Sequence, residues 1–260
     1  MDLFHAIILA VIEGITEFLP VSSTGHMIAA SQIMGMPQTE FLKTFEIAIQ
    51  LGAIAAVAGL YWRTFLLDWE VGVKVMAAFV PTAIIGFIVY KLIKKFLLGD
   101  VVIVAWALFT GGVLIILFER FYRFKGKAVT RMEDISYPQA VWIGLCQALA
   151  VVPGVSRSAA TIIGGLAVGV ERQTIVQFSF LLAVPTMLAA TVLDILKTEA
   201  VLDAQAWETL AIGFVIALAV AWCSVKFLLF YVRKHDLSVF GFYRVIAAIL
   251  LLVFISNIFL

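Results

Sequence analysis

The stretch Leu19-Pro20-Val21-Ser22-Ser23-Thr24-Gly25-His26 (the first break) interrupts an apolar segment near 5–30. Val152-Pro153-Gly154-Val155-Ser156-Arg157-Ser158 (the second break) interrupts another segment, near 137–168. Proline, glycine and hydroxyl residues in mid-membrane are tolerated only where the backbone faces protein or a water-filled cavity. We therefore predict that each segment folds as a broken, re-entrant helical hairpin.

The composition excludes a soluble globular protein. Of the 260 residues, 63% are hydrophobic and 13% are charged, whereas soluble domains have about 45–50% and about 25%. Further apolar stretches approach the length of about 20 residues that a spanning helix needs. They lie near 41–62, 71–90, 101–118, 175–196, 207–230 and 237–259. The sequence thus predicts an all-α polytopic membrane protein with six spanning helices and two hairpins.

The two breaks resemble one another, which indicates an internal repeat. In each half, one hairpin is followed by three spans. Because three is odd, the second half must enter the membrane from the opposite side, which makes the repeats inverted. We predict a single integral membrane domain over 1–260, with repeats of about 1–120 and 136–260 and a site where the breaks meet. Simple kinks in ordinary spans would not explain why acids and hydroxyls collect there.

The basic residues are distributed unequally between the two predicted faces. The positive-inside rule makes the richer face cytoplasmic and puts both termini outside. The net charge of +1 gives no global field that would attract nucleic acid. The richer face contains Arg63, Arg120, Arg123, Lys125, Lys127, Arg131, Arg172, Arg233 and Lys234, and the other contains Lys43, Lys91, Lys94, Lys95 and Lys197.

Glu13 and Glu17 are the first candidates for chemistry, because ionisable residues in a membrane segment are costly. Four residues apart on a helix, they share a face, where two anions repel unless a cation or a proton intervenes. Mg²⁺ or Ca²⁺, held together with substrate phosphates, is the natural occupant. Proton sharing, as in a coupled carrier, and structural acids at a helix end are the alternatives.

Arg157 lies between Ser156 and Ser158, where a helix restarts. Its guanidinium, the two hydroxyls and the free N–H groups of the helix end would converge on an anion, which is typical of a phosphate site. In the alternative interpretation, one serine caps the helix and Arg157 is the structural partner of a carboxylate.

The first break adds hydroxyls and a histidine. Ser22 and Thr24 are further candidates for phosphate binding. Ser23 next to a potential general base is the minimum for covalent attack, and His26 itself can accept a phosphoryl group. Polar positions within the spans, Glu46, Gln50 and Asp194, either line the cavity or lie at helix ends. Arg244 in the last span is expected to snorkel to the cytoplasmic surface.

Two motifs resemble signatures of the bacterial undecaprenyl-diphosphate phosphatase family associated with bacitracin resistance. Glu13-Gly-Ile-Thr-Glu17-Phe-Leu-Pro-Val-Ser-Ser-Thr-Gly-His26 is similar to the first signature, and Pro153-Gly-Val-Ser-Arg-Ser-Ala-Ala-Thr161 to the second. The similarity extends to Lys43–Gly52, Phe178–Pro185 and Tyr243-Arg244, so it covers nearly the whole chain.

The resemblance implies an enzyme of the bacterial inner membrane that removes the terminal phosphate from undecaprenyl diphosphate and so recycles the lipid carrier of peptidoglycan synthesis. It implies dependence on Mg²⁺ or Ca²⁺ and an inverted repeat with two hairpins. It makes Glu13 and Glu17 the catalytic or metal-binding acids, and Ser23 or His26 the nucleophile. The implied phosphate binders are Ser156, Arg157, Ser158 and Thr161.

A flippase of the polyprenyl phosphate carrier is the alternative function, since inverted repeats and broken helices also build transporters. The mechanism of the phosphatidic acid phosphatases cannot be assembled, because no histidine follows Arg157 before His235. The sequence leaves open the nucleophile, the metal, the prenyl chain length and the oligomeric state, a homo-oligomer included.

Overall fold

The computed structural model describes residues 1–37, 39–96, 101–123, 126–195 and 204–258. The regular secondary structure of these ranges is helical. The helices are α1 (Leu3–Thr16), α2 (Ser23–Ile33), α3 (Glu40–Leu60), α4 (Trp62–Leu67), α5 (Trp69–Phe96), α6 (Val101–Phe121), α7 (Tyr137–Ala148), α8 (Arg157–Ala167), α9 (Arg172–Ile195), α10 (Ala204–Tyr231) and α11 (Ser238–Ile258).

Six of these helices, α3, α5, α6, α9, α10 and α11, are long and apolar enough to cross a membrane. This confirms the all-α polytopic fold with six spans. The candidate spans lie within a few residues of the predicted stretches: Glu40–Leu60, Trp69–Val89, Val101–Phe121, Arg172–Leu193, Ala204–Tyr231 and Ser238–Ser256.

The two interrupted segments form pairs of short helices: α1 with α2 is the first hairpin, and α7 with α8 is the second. None of the four has more than 14 residues, which is too short for a bilayer. Serine side chains begin three of them: Ser22 caps α2, Ser136 forms a capping box on α7, and Ser156 caps α8. At each break the helix that restarts, α2 or α8, thus has a serine oxygen as acceptor for one of its first N–H groups.

Each break contains one residue in the left-handed region. Ser22 has φ 74°, which is strained for a residue with a side chain. Gly154 has φ 94°, and a Cβ there would lie 2.7 Å from the carbonyl oxygen of Val104 on α6. Glycine is therefore needed at the second break both for its backbone conformation and for the close approach of α6.

Both halves of the chain contain one hairpin followed by three long helices. The first helix of each hairpin packs on a long helix of the other half: α1 on α10, and α7 on α5. In addition, α6 packs on α11, and α3 on α9 and α10. An inverted pair of repeats would produce this packing of each hairpin on the other half of the chain. The repeat boundaries and the orientation stay predictions.

The ends of three helices meet on the predicted cytoplasmic face. Arg172 at the start of α9 forms an ion pair with Glu119 near the end of α6. The same carboxylate accepts a hydrogen bond of 3.1 Å from the backbone N–H of Leu237, just before α11. Lys125 and Lys197, which were used to predict the orientation, lie outside the described residues.

We predict that Gly144→Ala destabilises the protein, because the new Cβ would overlap the backbone oxygen of Ala78 where α7 packs on α5. Overpacking of this kind costs about 1–3 kcal/mol. Thermal unfolding in detergent should show a lower Tm. The matched control is Gly72→Ala, in α5 itself, where a Cβ meets no atom within 4 Å. An equal Tm for both variants would contradict this packing.

Candidate functional site

The two breaks meet inside the protein. The hydroxyl of Ser158, which is fully buried, donates a hydrogen bond of 2.8 Å to the carbonyl oxygen of Leu19. These residues are 139 positions apart in the chain. The tip of the second hairpin is thus tied to the tip of the first, as the sequence predicts for the place of the site.

Glu17 is at the centre of this junction. Arg157 Nη2 donates to its Oε1 at 3.0 Å, and Ser23 Oγ donates to its Oε2 at 2.5 Å. The side chains of Arg157 and Glu17 are only 12% and 7% exposed. An ion pair this deeply buried has lost most of its hydration, so it persists only with good geometry and further hydrogen bonds. The structure therefore brings together three of the predicted catalytic residues.

The guanidinium of Arg157 has several additional contacts and one polar atom without a partner. Nη1 donates to the carbonyl oxygen of Ser179 at 3.0 Å, and Cζ lies 5.6 Å from the centre of the Phe18 ring. Nε is buried and has no hydrogen-bond partner. The orientation of Arg157 is thus fixed by Glu17 and α9, while its Nε stays buried without a partner.

Glu13 lies one turn before Glu17 on α1 and is only 4% exposed. The charged groups near enough to act on it are Glu17, Glu46 and Arg157. For Glu46, on α3, the sequence predicts either a cavity position or a helix end. In the structure it lies near enough to Glu13 to act on it. Arg157 is thus the cation that acts on the acid pair, while Glu46 has Lys43 nearby. Two neighbouring carboxylates with a single arginine favour a bound cation or a proton.

The acid pair fits a hard divalent cation by its chemistry. Carboxylate oxygens are the ligands that Mg²⁺ and Ca²⁺ take, and each oxygen of Glu17 can accept more than one contact. Across the described residues, no group of three His, Cys, Asp or Glu side chains is placed to hold a metal by itself. Glu13 and Glu17 would thus supply part of a coordination shell, and substrate phosphate and water the remainder.

His26 is turned toward the last helix. Its Nδ1 lies 2.7 Å from the carbonyl oxygen of Ser22, and its Nε2 lies 2.6 Å from the hydroxyl of Tyr243. The rings of His26 and Tyr243 are stacked, with centroids 5.5 Å apart. A carbonyl can only accept, so Nδ1 carries a proton. In this arrangement the group that contacts the Ser23 hydroxyl is Glu17, and His26 contacts Tyr243 instead.

The remaining predicted hydroxyls bind protein atoms or face outward. Ser156 caps α8 through the N–H of Ala159 at 3.2 Å and lies 2.9 Å from the Ser158 hydroxyl. The Oγ1 of Thr161, also fully buried, is 2.5 Å from Oγ of Ser179. Ser22 is buried as the cap of α2, and Thr24 is exposed. The phosphate-binding roles expected of these residues stay predictions. The hydroxyls of Ser156 and Thr161 have partners within the protein and stabilise the second hairpin.

Arg244 does not reach the membrane surface, so the prediction that it snorkels is wrong. The residue is 1% exposed, and Nη2 donates to the carbonyl oxygens of Ala107 at 3.1 Å and Gly154 at 3.0 Å. Nη1 lies 3.5 Å from the carbonyl oxygen of Pro20. One guanidinium thus joins both breaks to α6, because carbonyl oxygens of the two turns and of α6 lie within its reach. The sequence did contain a signal for this buried role, because Arg244 is a charged residue within a membrane span.

Comparison with known proteins gives matches over nearly the whole chain. The family model described as "Bacitracin resistance protein BacA" matches residues 6–250. The chain is similar to a protein of Aquifex aeolicus named "Undecaprenyl-diphosphatase", with 45% identity over 95% of this chain and 96% of that protein. Proteins with the same name in Sulfurihydrogenibium sp. and Methanococcus aeolicus are 45% and 39% identical, over 96% and 98% of this chain and 98% and 99% of theirs.

We predict that Arg244→Met lowers stability by about 3 kcal/mol, because turn carbonyls in both breaks would lose their charged donor inside the protein. Thermal unfolding in detergent measures the change. Arg233→Met, at an exposed position just after α10, is the matched control and should leave Tm within a degree or so, as surface changes usually do. An unchanged Tm for Arg244→Met would show that this guanidinium does not hold the breaks together.

Proposed function

Since the chain belongs to the bacitracin resistance protein BacA family, we propose that it hydrolyses undecaprenyl diphosphate to undecaprenyl phosphate and phosphate. The activity is the one named in its relatives. The observation that supports it best is the buried Glu17 carboxylate, held at once by the Ser23 hydroxyl and the Arg157 guanidinium. This set supplies a nucleophile, a base and an anion-binding group within one junction.

Substrate binding begins at Arg157. Its planar guanidinium suits the oxygens of a diphosphate, and it lies at the N-terminus of α8, where backbone N–H groups also attract anions. Binding of phosphate would take Arg157 partly away from Glu17. The exchange replaces one anionic partner of the arginine by another, so it does not leave the charge buried and unpaired.

Glu17 is also placed to activate the nucleophile. Its carboxylate already accepts the hydrogen bond of the Ser23 hydroxyl at 2.5 Å, so it can take that proton when Ser23 attacks. Ser23 Oγ forms a bond to the terminal phosphorus, its proton passes to Glu17, and the bond from that phosphorus to the bridging oxygen breaks. Undecaprenyl phosphate leaves. Water then hydrolyses the phosphoserine, releases phosphate and restores the Ser23 hydroxyl.

Glu13 and Glu17 would hold Mg²⁺ or Ca²⁺, which neutralises charge on phosphate oxygens during the transfer. Glu46 adds to the negative potential around this position. His26 and Tyr243 fix the start of α2 and so the place of Ser23. We assign the protein to the bacterial plasma membrane with both termini outside, in agreement with the predicted distribution of basic residues.

A carrier for the lipid would use the same anion site, so the decisive measurement is phosphate release. The purified protein should release phosphate from undecaprenyl diphosphate in detergent. In vesicles, movement of the lipid without any phosphate release would favour the flippase and contradict this proposal.

We predict that Arg157→Ala lowers phosphate release by at least about 100-fold, the usual loss when one stabilising donor is removed from a transition state. Arg157→Lys should recover only part of the activity, because an ammonium group lacks the planar set of N–H donors with which a guanidinium contacts Glu17 and phosphate together. Arg233→Ala is the matched exposed control. Substantial release by a folded Arg157→Ala protein would exclude this role.

We expect phosphate release to stop when EDTA removes divalent cations and to return when Mg²⁺ or Ca²⁺ is added. Glu13→Gln should raise the Mg²⁺ concentration needed for half-maximal activity, because one anionic ligand is lost. Glu40→Gln, an exposed position on α3, should not. Full activity in EDTA would contradict a metal at the acid pair.

A further inference from the structure

A cavity of about 680 Å³ lies next to the junction, between α5 and α9. Its volume is in the range of about 300–1,000 Å³ that is usual for small-molecule sites. Arg157 lines it, as do Gln147 at the end of α7 and the residues of α5 and α9 that face each other. The cavity and the diphosphate site therefore share one side chain.

The walls of this cavity are apolar and its mouth is on the surface. Small residues leave the space open: Ala83 and Gly86 on α5, and Ala189 and Ala190 on α9. At the other end, Phe87 lines the cavity and is 77% exposed. That surface belongs to a candidate membrane span, so the cavity opens toward lipid and its lining suits a hydrocarbon chain.

The inner end of the cavity is polar and has two buried atoms without partners. Arg157 Nε lacks an acceptor, and Gln147 Oε1 lacks a donor. The amide nitrogen of Gln147 is already engaged, since it donates to the hydroxyls of Thr82 and Thr186 at 3.0 Å. Arg157 also forms the ion pair with Glu17, so this polar part of the lining is continuous with the junction. The cavity is thus polar at the end next to Glu17 and apolar toward the lipid.

From this gradient we propose that the cavity between α5 and α9 binds the part of the polyprenyl tail that is closest to the diphosphate. The inference rests on the proposed function. The tail leaves Arg157, runs between Gly86 and Ala189, and passes Phe87 into the bilayer. The site therefore selects a substrate that carries a long isoprenoid chain over a short one, because only a long chain fills the whole cavity.

Gly86→Leu tests this assignment. A Cβ at Gly86 meets no atom within 4 Å, so the position accepts a side chain, and leucine would occupy part of the cavity. The matched control is Gly72→Leu, in the same helix and with equally open space, but away from the cavity. Ala189→Leu narrows the cavity from the opposite wall. Kinetics are measured with undecaprenyl diphosphate and with geranyl diphosphate, the latter as substrate or as competing inhibitor.

We expect Gly86→Leu and Ala189→Leu to lower kcat/KM for undecaprenyl diphosphate by about tenfold or more, mainly through KM, as crowding by a few methyl groups does in apolar sites. The KM or inhibition constant of geranyl diphosphate should change much less, and Gly72→Leu should change neither. Equal losses for both lipids, or no loss for either, would overturn the tail site. If wild-type protein releases no phosphate from undecaprenyl diphosphate, the proposed function itself fails.

Discussion

The pairing of polar groups across the two breaks is the constraint on which the rest of the structure depends. A helix that stops in mid-membrane leaves backbone groups unpaired, and hydrocarbon offers them no partner. Here the polar groups of the two breaks find donors and acceptors in each other and in Arg244. Ser158 donates to the Leu19 carbonyl, Arg157 pairs with Glu17, and Arg244 donates to the carbonyl of Gly154 and lies close to that of Pro20.

The same contacts explain why chemistry is possible at this depth. A carboxylate and a guanidinium are kept in an apolar environment because they neutralise each other, and the Ser23 hydroxyl adds a hydrogen bond to the pair. In the proposed function a diphosphate would bind the arginine of this pair. The three side chains that pair in the structure are thus the same three to which we assign the chemistry.

The strain and close packing around the breaks support this interpretation. Ser22 has a positive φ in the turn that leads to Ser23, and such strain persists only where the surroundings over-determine the conformation. Here Ser22 caps α2 with its side chain and contacts His26 with its carbonyl, while His26 stacks on Tyr243. The first turn of α2 is therefore held from two sides, which fixes the position of Ser23, the nucleophile that we propose.

Several features could be predicted from the sequence because they depend on local composition and spacing. The lengths of the apolar runs give the six spans, and the proline and serine residues mark where the hairpins stop and restart. The cost of a charge in a membrane segment singles out Glu13, Glu17 and Arg157. Proximity in sequence was a poor guide to partners, however. Ser23 contacts Glu17, while its near neighbour His26 turns to Tyr243, 217 residues further along the chain.

The sequence alone thus determined the membrane class, the broken segments and the residues too costly to be there without a role. Only the tertiary structure decided which atoms those residues contact. It buried Arg244 between the breaks, placed Glu46 beside the acid pair and opened an apolar cavity next to Arg157. The physical reason is that the free-energy cost of burying a polar or charged side chain depends on the residue type. An apolar segment around such a residue is visible in the sequence. Hydrogen bonds and cavities arise between helices that are distant in the chain, and their geometry follows only from how those helices pack.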